Sequence, residues 1–184
     1  MNSLVAVLIP FRVIKFRSDI DIVENLIFDT IEIMNIRQAK ISDVPAIYAL
    51  VSSYAELDKM LFLSMAQIYE NLQQFTVAEV DECVVGCCAL QIIWSDLAEI
   101  RSLAIDKPFV GKGIGKSLVS GALEQAQTLG VKKVFTLTLE GGFFKKLGFK
   151  EIPKEQLPMK VWSDCAKCSK QDRCDEKAMI YEAQ

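Results

Sequence analysis

Three glycines alternate with other residues in Val110-Gly111-Lys112-Gly113-Ile114-Gly115-Lys116, and an amphipathic stretch with apolar Ile114, Leu118 and Leu123 runs on from them. Glycine lets a backbone approach a ligand closely, and the N–H groups of a first helical turn have no carbonyl partner of their own. Such a turn is suited to an anion, because the helix dipole reinforces the exposed amides; a pyrophosphate fits it. Spacing separates this turn from two other phosphate loops. A P-loop needs four residues between its glycines and then Gly-Lys-Ser/Thr, and a dinucleotide fingerprint needs G-x-G-x-x-G, whereas this turn reads G-x-G-x-G.

The elements that must hold the turn follow from periodicity. Residues 97–105 read as a strand leading through Asp106-Lys107-Pro108 into it, and the helix behind it is expected to stop at Leu129-Gly130. Upstream, the pattern predicts a short strand over 36–39 and a helix over 43–54, with Ser42 as N-cap and Pro45 tolerated in the first turn. A second helix is expected after Ser64, then strands over 75–80 and 84–94 joined by a turn at Asp81-Glu82. Downstream come a strand over 133–139, a short helix over 143–147, extended chain over 149–152 and a closing strand over 178–182. The order implies an α/β (α+β) domain, a mixed sheet with helices on its faces.

At 184 residues, with 51% hydrophobic, the chain can bury one core, and one domain is expected over 34–184, with a Cys-containing C-terminal segment at 153–184. Residues 1–33 read as an N-terminal extension, because their apolar residues keep no sustained period even though Ile20, Val23, Ile27 and Ile31 are helically spaced. A net charge of −3, with lysines scattered among acids, offers nucleic acid no basic field. The apolar run over 4–11 is shorter than the ~20 residues of a membrane-spanning helix. The basic residues Arg12, Lys15 and Arg17 follow that run rather than precede it, unlike a secretory signal, so a cytoplasmic protein is expected. A homodimer is left open.

With no histidine in the chain, an imidazole base or imidazole metal ligand is excluded. Cys83, Cys87 and Cys88 read as small buried hydrophobes. Cys165, Cys168 and Cys174 have C-x-x-C spacing and a third thiol but no second C-x-x-C pair, so a structural or redox-sensitive cluster is expected and no metal site.

Residues 101–118 (RSLAIDKPFVGKGIGKSL) resemble the acetyl-CoA-binding motif of GNAT N-acetyltransferases, Q/R-x-x-G-x-G/A, and 143–149 (FFKKLGF) resembles the family's F-Y-x-K-L-G-F element. The resemblance covers about residues 35–152. It implies the GNAT fold: a mixed, mostly antiparallel sheet, helices on both faces and splayed central strands. It also implies acetyl-CoA as cosubstrate, its pyrophosphate on the amides of Gly111, Lys112, Gly113, Ile114, Gly115 and Lys116. Backbone groups of Leu103, Ala104 and Ile105 are implied to pair with the pantetheine arm where the strands part. Two positions depart from the pattern: Val110 stands where the motif carries Arg or Gln, and Phe144 where a tyrosine often protonates the leaving thiolate.

More narrowly, 60–75 (MLFLSMAQIYENLQQF), 98–105 (AEIRSLAI), 134–149 (VFTLTLEGGFFKKLGF) and 157–176 (LPMKVWSDCAKCSKQDRCDE) resemble short single-domain N-acetylglutamate synthases, which open arginine biosynthesis. Acetyl transfer to an amine needs a base for the amine's proton and a hydrogen bond for the developing oxyanion. Glu99 is the candidate base, sharing a strand face with Leu97, Arg101 and Leu103 by period-two alternation. The resemblance makes the acceptor a small amino acid, L-glutamate first, and Arg101 and Lys160 the candidates to pair with its carboxylates. Phe62-Leu63 replaces a Pro-Arg pair common in those synthases, and Met159 replaces a frequent His, so another amine, a protein N-terminus or a non-catalytic acyl-CoA sensor remain alternatives.

Overall fold

The strand-forming centre of the chain is rich in β-branched and small apolar residues, FTVAEV and CVVGCCALQIIW. Between these runs Asp81 and Glu82 both adopt left-handed backbone, with φ of 48° and 62°, the two-residue turn whose twist matches the flanking strands. In the computed structural model, residues 34–158, 166 and 173–183 are described. The expected N-terminal extension, 1–33, lies outside them.

The strands are β1 (Asn35–Gln38), β2 (Phe75–Val80), β3 (Cys83–Trp94), β4 (Leu97–Ile105), β5 (Lys133–Thr138), β6 (Lys150–Ile152) and β7 (Lys177–Glu182). The helices are α1 (Val44–Ala55), α2 (Met65–Glu70), α3 (Ile114–Thr128) and α4 (Gly141–Lys146). Among the described residues the strands form one sheet in the order β1-β2-β3-β4-β5-β7-β6. Every pairing is antiparallel except β4 with β5.

Helices cover both faces, as expected. Val77, Cys87, Ala89 and Ala104 pack under α1 and α2 with Ile47, Val51 and Ile68. Ala78, Cys88, Leu90, Ala98 and Ile100 pack under α3 and α4 with Leu118, Val119 and Phe144. Burying an aliphatic side chain of this size contributes about 1.5–3 kcal/mol, so these two layers hold the sheet between them. The neighbours Cys87 and Cys88 are buried on opposite faces; Cys83, expected to be buried with them, is exposed because it opens β3 at the turn.

Local signals set most helix ends. Ser64 caps α2, accepting from the Gln67 amide at 3.2 Å while Gln67 Oε1 accepts from the Ser64 amide at 2.9 Å. Gly130, at φ 79°, ends α3, its amide bonding to Gln127 O at 3.0 Å and that of Val131 to Ala126 O at 2.9 Å. Ser42 does not cap α1 as expected. Asp43 orders that end instead: its Oδ2 accepts from the Lys40 amide at 2.7 Å and from Arg37 Nη1 at 2.6 Å.

Arg37 also donates through Nε to Glu79 Oε2 at 2.9 Å, tying β1 to β2 and to the start of α1. Asp43 is only 6% exposed, and a charge that deep is tolerated because the guanidinium pairs with both its oxygens. Hydrogen bonding to Arg37 holds the carboxyls of Asp43 and Glu79 below their ordinary values. Among the described residues, no helix is long and apolar enough to cross a membrane.

Candidate active site

The sheet opens beside β4. Its parallel pairing with β5 covers only Leu97↔Lys133, Ala98↔Val134 and Glu99↔Phe135, whereas β5 pairs with β7 along its whole length. Beyond Glu99, β4 pairs with β3 and, among the described residues, with no other strand, leaving a gap in the sheet on its other side. The Asp106 amide bonds to Val85 O at 2.8 Å. Backbone groups alternate over Ala104 to Asp106, so the N–H and C=O of Ile105, and the C=O of Leu103, face the gap.

A bulge refines this edge. Ala104 opposes Cys87 and Arg101 opposes Ala89, so Ser102 and Leu103 together stand across from Cys88. Ser102 takes left-handed backbone, φ 53°. The bulge corrects the expected alternation: Glu99 and Arg101 lie on the face of α1 and α2, but Leu103 packs with the cluster under α3, and Ala104 returns to the other side.

The glycine turn stands at the far end of the gap. Gly111 and Gly113 both have φ of 87°, a conformation that strains any side-chain-bearing residue. The amides of Val110 and Lys112 turn inward, to Lys107 O at 3.3 Å and Phe109 O at 3.4 Å, so Lys112, one of the expected phosphate contacts, has its amide already engaged. The first helical bond runs from the Ser117 amide to Gly113 O at 3.1 Å. Among the described residues, the amides of Gly111, Gly113, Ile114, Gly115 and Lys116 donate to no backbone acceptor. Uncapped N–H groups at the positive end of a helix dipole fit a diphosphate.

Packing holds the turn in place. A Cβ on Gly86 would come within 2.8 Å of Ile105 Cδ1 and 3.2 Å of Ile114 and Leu118, so glycine there lets α3 settle against the sheet. A Cβ on Gly115 would lie 3.4 Å from the Phe143 ring, which brings the two sequence motifs together. Lys112 Nζ sits 4.6 Å from the Phe109 ring centroid. Phe144, at the position where the resemblance places a tyrosine, is 3% exposed and packs edge-on against Phe143 and Phe149, with centroids 5.0 and 5.1 Å away.

Glu99 occupies the last paired position of β4 with β5, at the vertex of the gap, and is half-buried. Across β3 it faces Gln91, whose Oε1 accepts from Arg101 Nη1 at 2.8 Å. A carboxylate, a guanidinium and an amide are thus gathered on one face at the vertex, able to take a proton and to hold a carboxylate. Lys160, Cys165 and Cys168 lie outside the described residues; Cys174 is exposed beside Lys154, with Sγ 3.1 Å from Nζ. Among the described residues, no group of His, Cys, Asp or Glu side chains is arranged to hold a metal ion. Sequence reasoning did not single out Gln91, Gly86, Ser102 or the Arg37 cluster. Their roles depend on the register of β3 against its neighbours, which leaves no local mark.

A sheet parted at its centre, with an uncapped helix N-terminus at the mouth of the gap, is the architecture of an acyl-coenzyme A-dependent N-acetyltransferase. The chain belongs to the acetyltransferase (GNAT) family, which it matches over residues 42–149. It is similar to an uncharacterized N-acetyltransferase of Chlorobaculum tepidum, 45% identical over 145 residues that span 79% of this chain and 94% of that protein. It is also similar to the amino-acid acetyltransferase of Mycobacterium tuberculosis, 42% identical over 132 residues, or 70% of this chain and 75% of that one. Among solved structures, it resembles N-acetylglutamate synthase from Neisseria gonorrhoeae complexed with coenzyme A and N-acetyl-glutamate, with a TM-score of 0.75 and 25% identity. That likeness covers 82% of this chain but 35% of the longer synthase. The protein is therefore an N-acetyltransferase using acetyl-CoA.

Proposed function

We propose that this chain acetylates the α-amino group of a small amino acid, with L-glutamate the favoured acceptor and entry into arginine biosynthesis, in the cytoplasm, the corresponding role. In this reading the amides of Gly111 and of Gly113 to Lys116 hold the pyrophosphate, and the backbone of Leu103, Ala104 and Ile105 lines the arm. Glu99 takes the proton of the attacking amine, directly or through a water. The amine nitrogen bonds to the thioester carbonyl carbon, the C–S bond breaks, and solvent protonates the thiolate, since Phe144 has no proton to give. Arg101 and Lys160 pair with the acceptor's carboxylates, and residues 34–184 act as one catalytic domain with residues 1–33 as an appendage.

The observation that carries the reading is the position of Glu99, at the point where β4 leaves β5 and on the face that also presents Arg101. Relatives named amino-acid acetyltransferase support an amino-acid acceptor. Leu63, which stands where the short N-acetylglutamate synthases commonly carry arginine and packs against the cluster under α1 and α2, favours a neutral amino acid as the second reading, because it adds no cation for a side-chain carboxylate.

Acetyl-CoA consumption against each of the twenty amino acids tests this directly. Glutamate is expected to give the highest kcat/KM, and Glu99→Gln to lower kcat by about 10²–10⁴ while leaving coenzyme A binding intact. Turnover with no amino acid, or a Glu99→Gln enzyme as fast as the parent, would refute it.

A further inference from the structure

The last turn of α1 delivers a phenol to the mouth of the gap. The Tyr54 hydroxyl donates to the main-chain oxygen of Ile105 at 2.8 Å, a bond between residues 51 positions apart. That oxygen faces the gap and not β3, because the next amide, of Asp106, is the one bonded to Val85. The Tyr54 ring packs against the cluster of Ile47, Val51, Cys87 and Ala104, so the phenol is fixed rather than free to swing. No property of the glycine turn or of the vertex requires this contact.

We propose that Tyr54 is a positioning residue for the pantetheine arm of the cosubstrate, a role that rests on the arm lying in the gap. A phenol has one proton to donate, and here it goes to Ile105; the oxygen keeps lone pairs that accept. The hydroxyl therefore presents an acceptor at the gap's mouth, and the arm carries amide N–H and hydroxyl donors to meet it. Distance separates this role from proton transfer to sulfur. Glu99 is six residues earlier on β4, about 17–20 Å away at ~3.3 Å per residue, so Tyr54 meets the arm between the glycine turn and the vertex and does not reach the reacting atoms.

Tyr54→Phe keeps the ring and removes only the hydroxyl. Titration calorimetry of parent and variant with coenzyme A, and with adenosine 3′-phosphate 5′-diphosphate, which has the phosphates but no arm, isolates the contact. Affinity for coenzyme A is expected to fall about three- to tenfold, as for one neutral hydrogen bond, with the armless nucleotide unaffected. KM for acetyl-CoA should rise by a similar factor with kcat unchanged. Equal losses for both ligands would make Tyr54 merely structural, and no loss for either, or a drop in kcat alone, would also overturn the proposal. If the parent itself bound coenzyme A no more tightly than the armless nucleotide, the gap would not be the arm's site, and the reading beneath the proposal would fail with it.

Discussion

Gly113→Ala separates backbone geometry from packing at the glycine turn. A Cβ at Gly113 would have no heavy atom within 4 Å, so alanine meets no clash; the whole effect comes from holding an L-residue at φ 87°. Left-handed backbone costs an alanine about 1–2 kcal/mol, partly offset by about 0.4–1 kcal/mol from a stiffer unfolded chain. The net, about 1 kcal/mol, corresponds to a fall of about 2–4 °C in Tm for a domain of this size. The turn can escape the strain by rotating the peptide that follows Gly113, which swings the Ile114 amide away from the anion. Losing one charge-assisted hydrogen bond, about 1.5–3 kcal/mol, weakens coenzyme A binding by about 10- to 100-fold. Differential scanning fluorimetry and titration calorimetry read the two effects separately. Gly142→Ala is the control: it also has open space around its Cβ, but it lies in α4 without left-handed backbone, so alanine there should leave coenzyme A affinity alone and stabilise by up to about 1 kcal/mol. If Gly113→Ala kept both Tm and affinity, neither the left-handed turn nor its amides would be what grips the cofactor.

Two further expectations concern the frame. Arg37 depresses the carboxyls of Asp43 and Glu79, so the unfolded chain protonates these sites at higher pH than the folded one; their stabilisation is complete above about pH 4 and is lost as pH falls through the depressed folded values. Asp43→Asn should lower Tm at neutral pH and flatten its fall in acid, measured by thermal melts from about pH 7 to about pH 2.5; an unchanged acid slope would count against the Arg37 cluster. Burial pushes the Cys87 thiol up to about 12 and raises Cys88 as well, so alkylation near pH 8 should mark Cys83 and Cys174 but spare Cys87 and Cys88 until the protein unfolds, as read by peptide mass mapping.

Much of the frame was legible because its causes are local. The bounds of β2 and β4 agree with the sequence reading, and the other strands differ from it by a residue or so at their ends. Ser64, Gly130 and the Asp81-Glu82 turn do what their residue types do in any fold: cap, stop and reverse a chain. The candidate site was legible where it is a contiguous motif. The turn at 111–116 and FFKKLGF were both visible, and their contact through Gly115 and Phe143 joins them.

What the residues alone determined is thus a matter of periodicity and backbone preference: a strand, a glycine turn with unpartnered amides, a helix behind it, and a carboxylate on the preceding strand. Only tertiary structure decided that Asp43 and not Ser42 orders α1, since the deciding guanidinium comes from another strand. It likewise decided that Leu103 leaves the face of Arg101, because a bulge exists only in the pairing of two strands. The opening at Glu99 is of the same kind: β5 finds its partner in β7, far along the chain, and the edge of β4 that this leaves bare is a property of the sheet rather than of any residue in it.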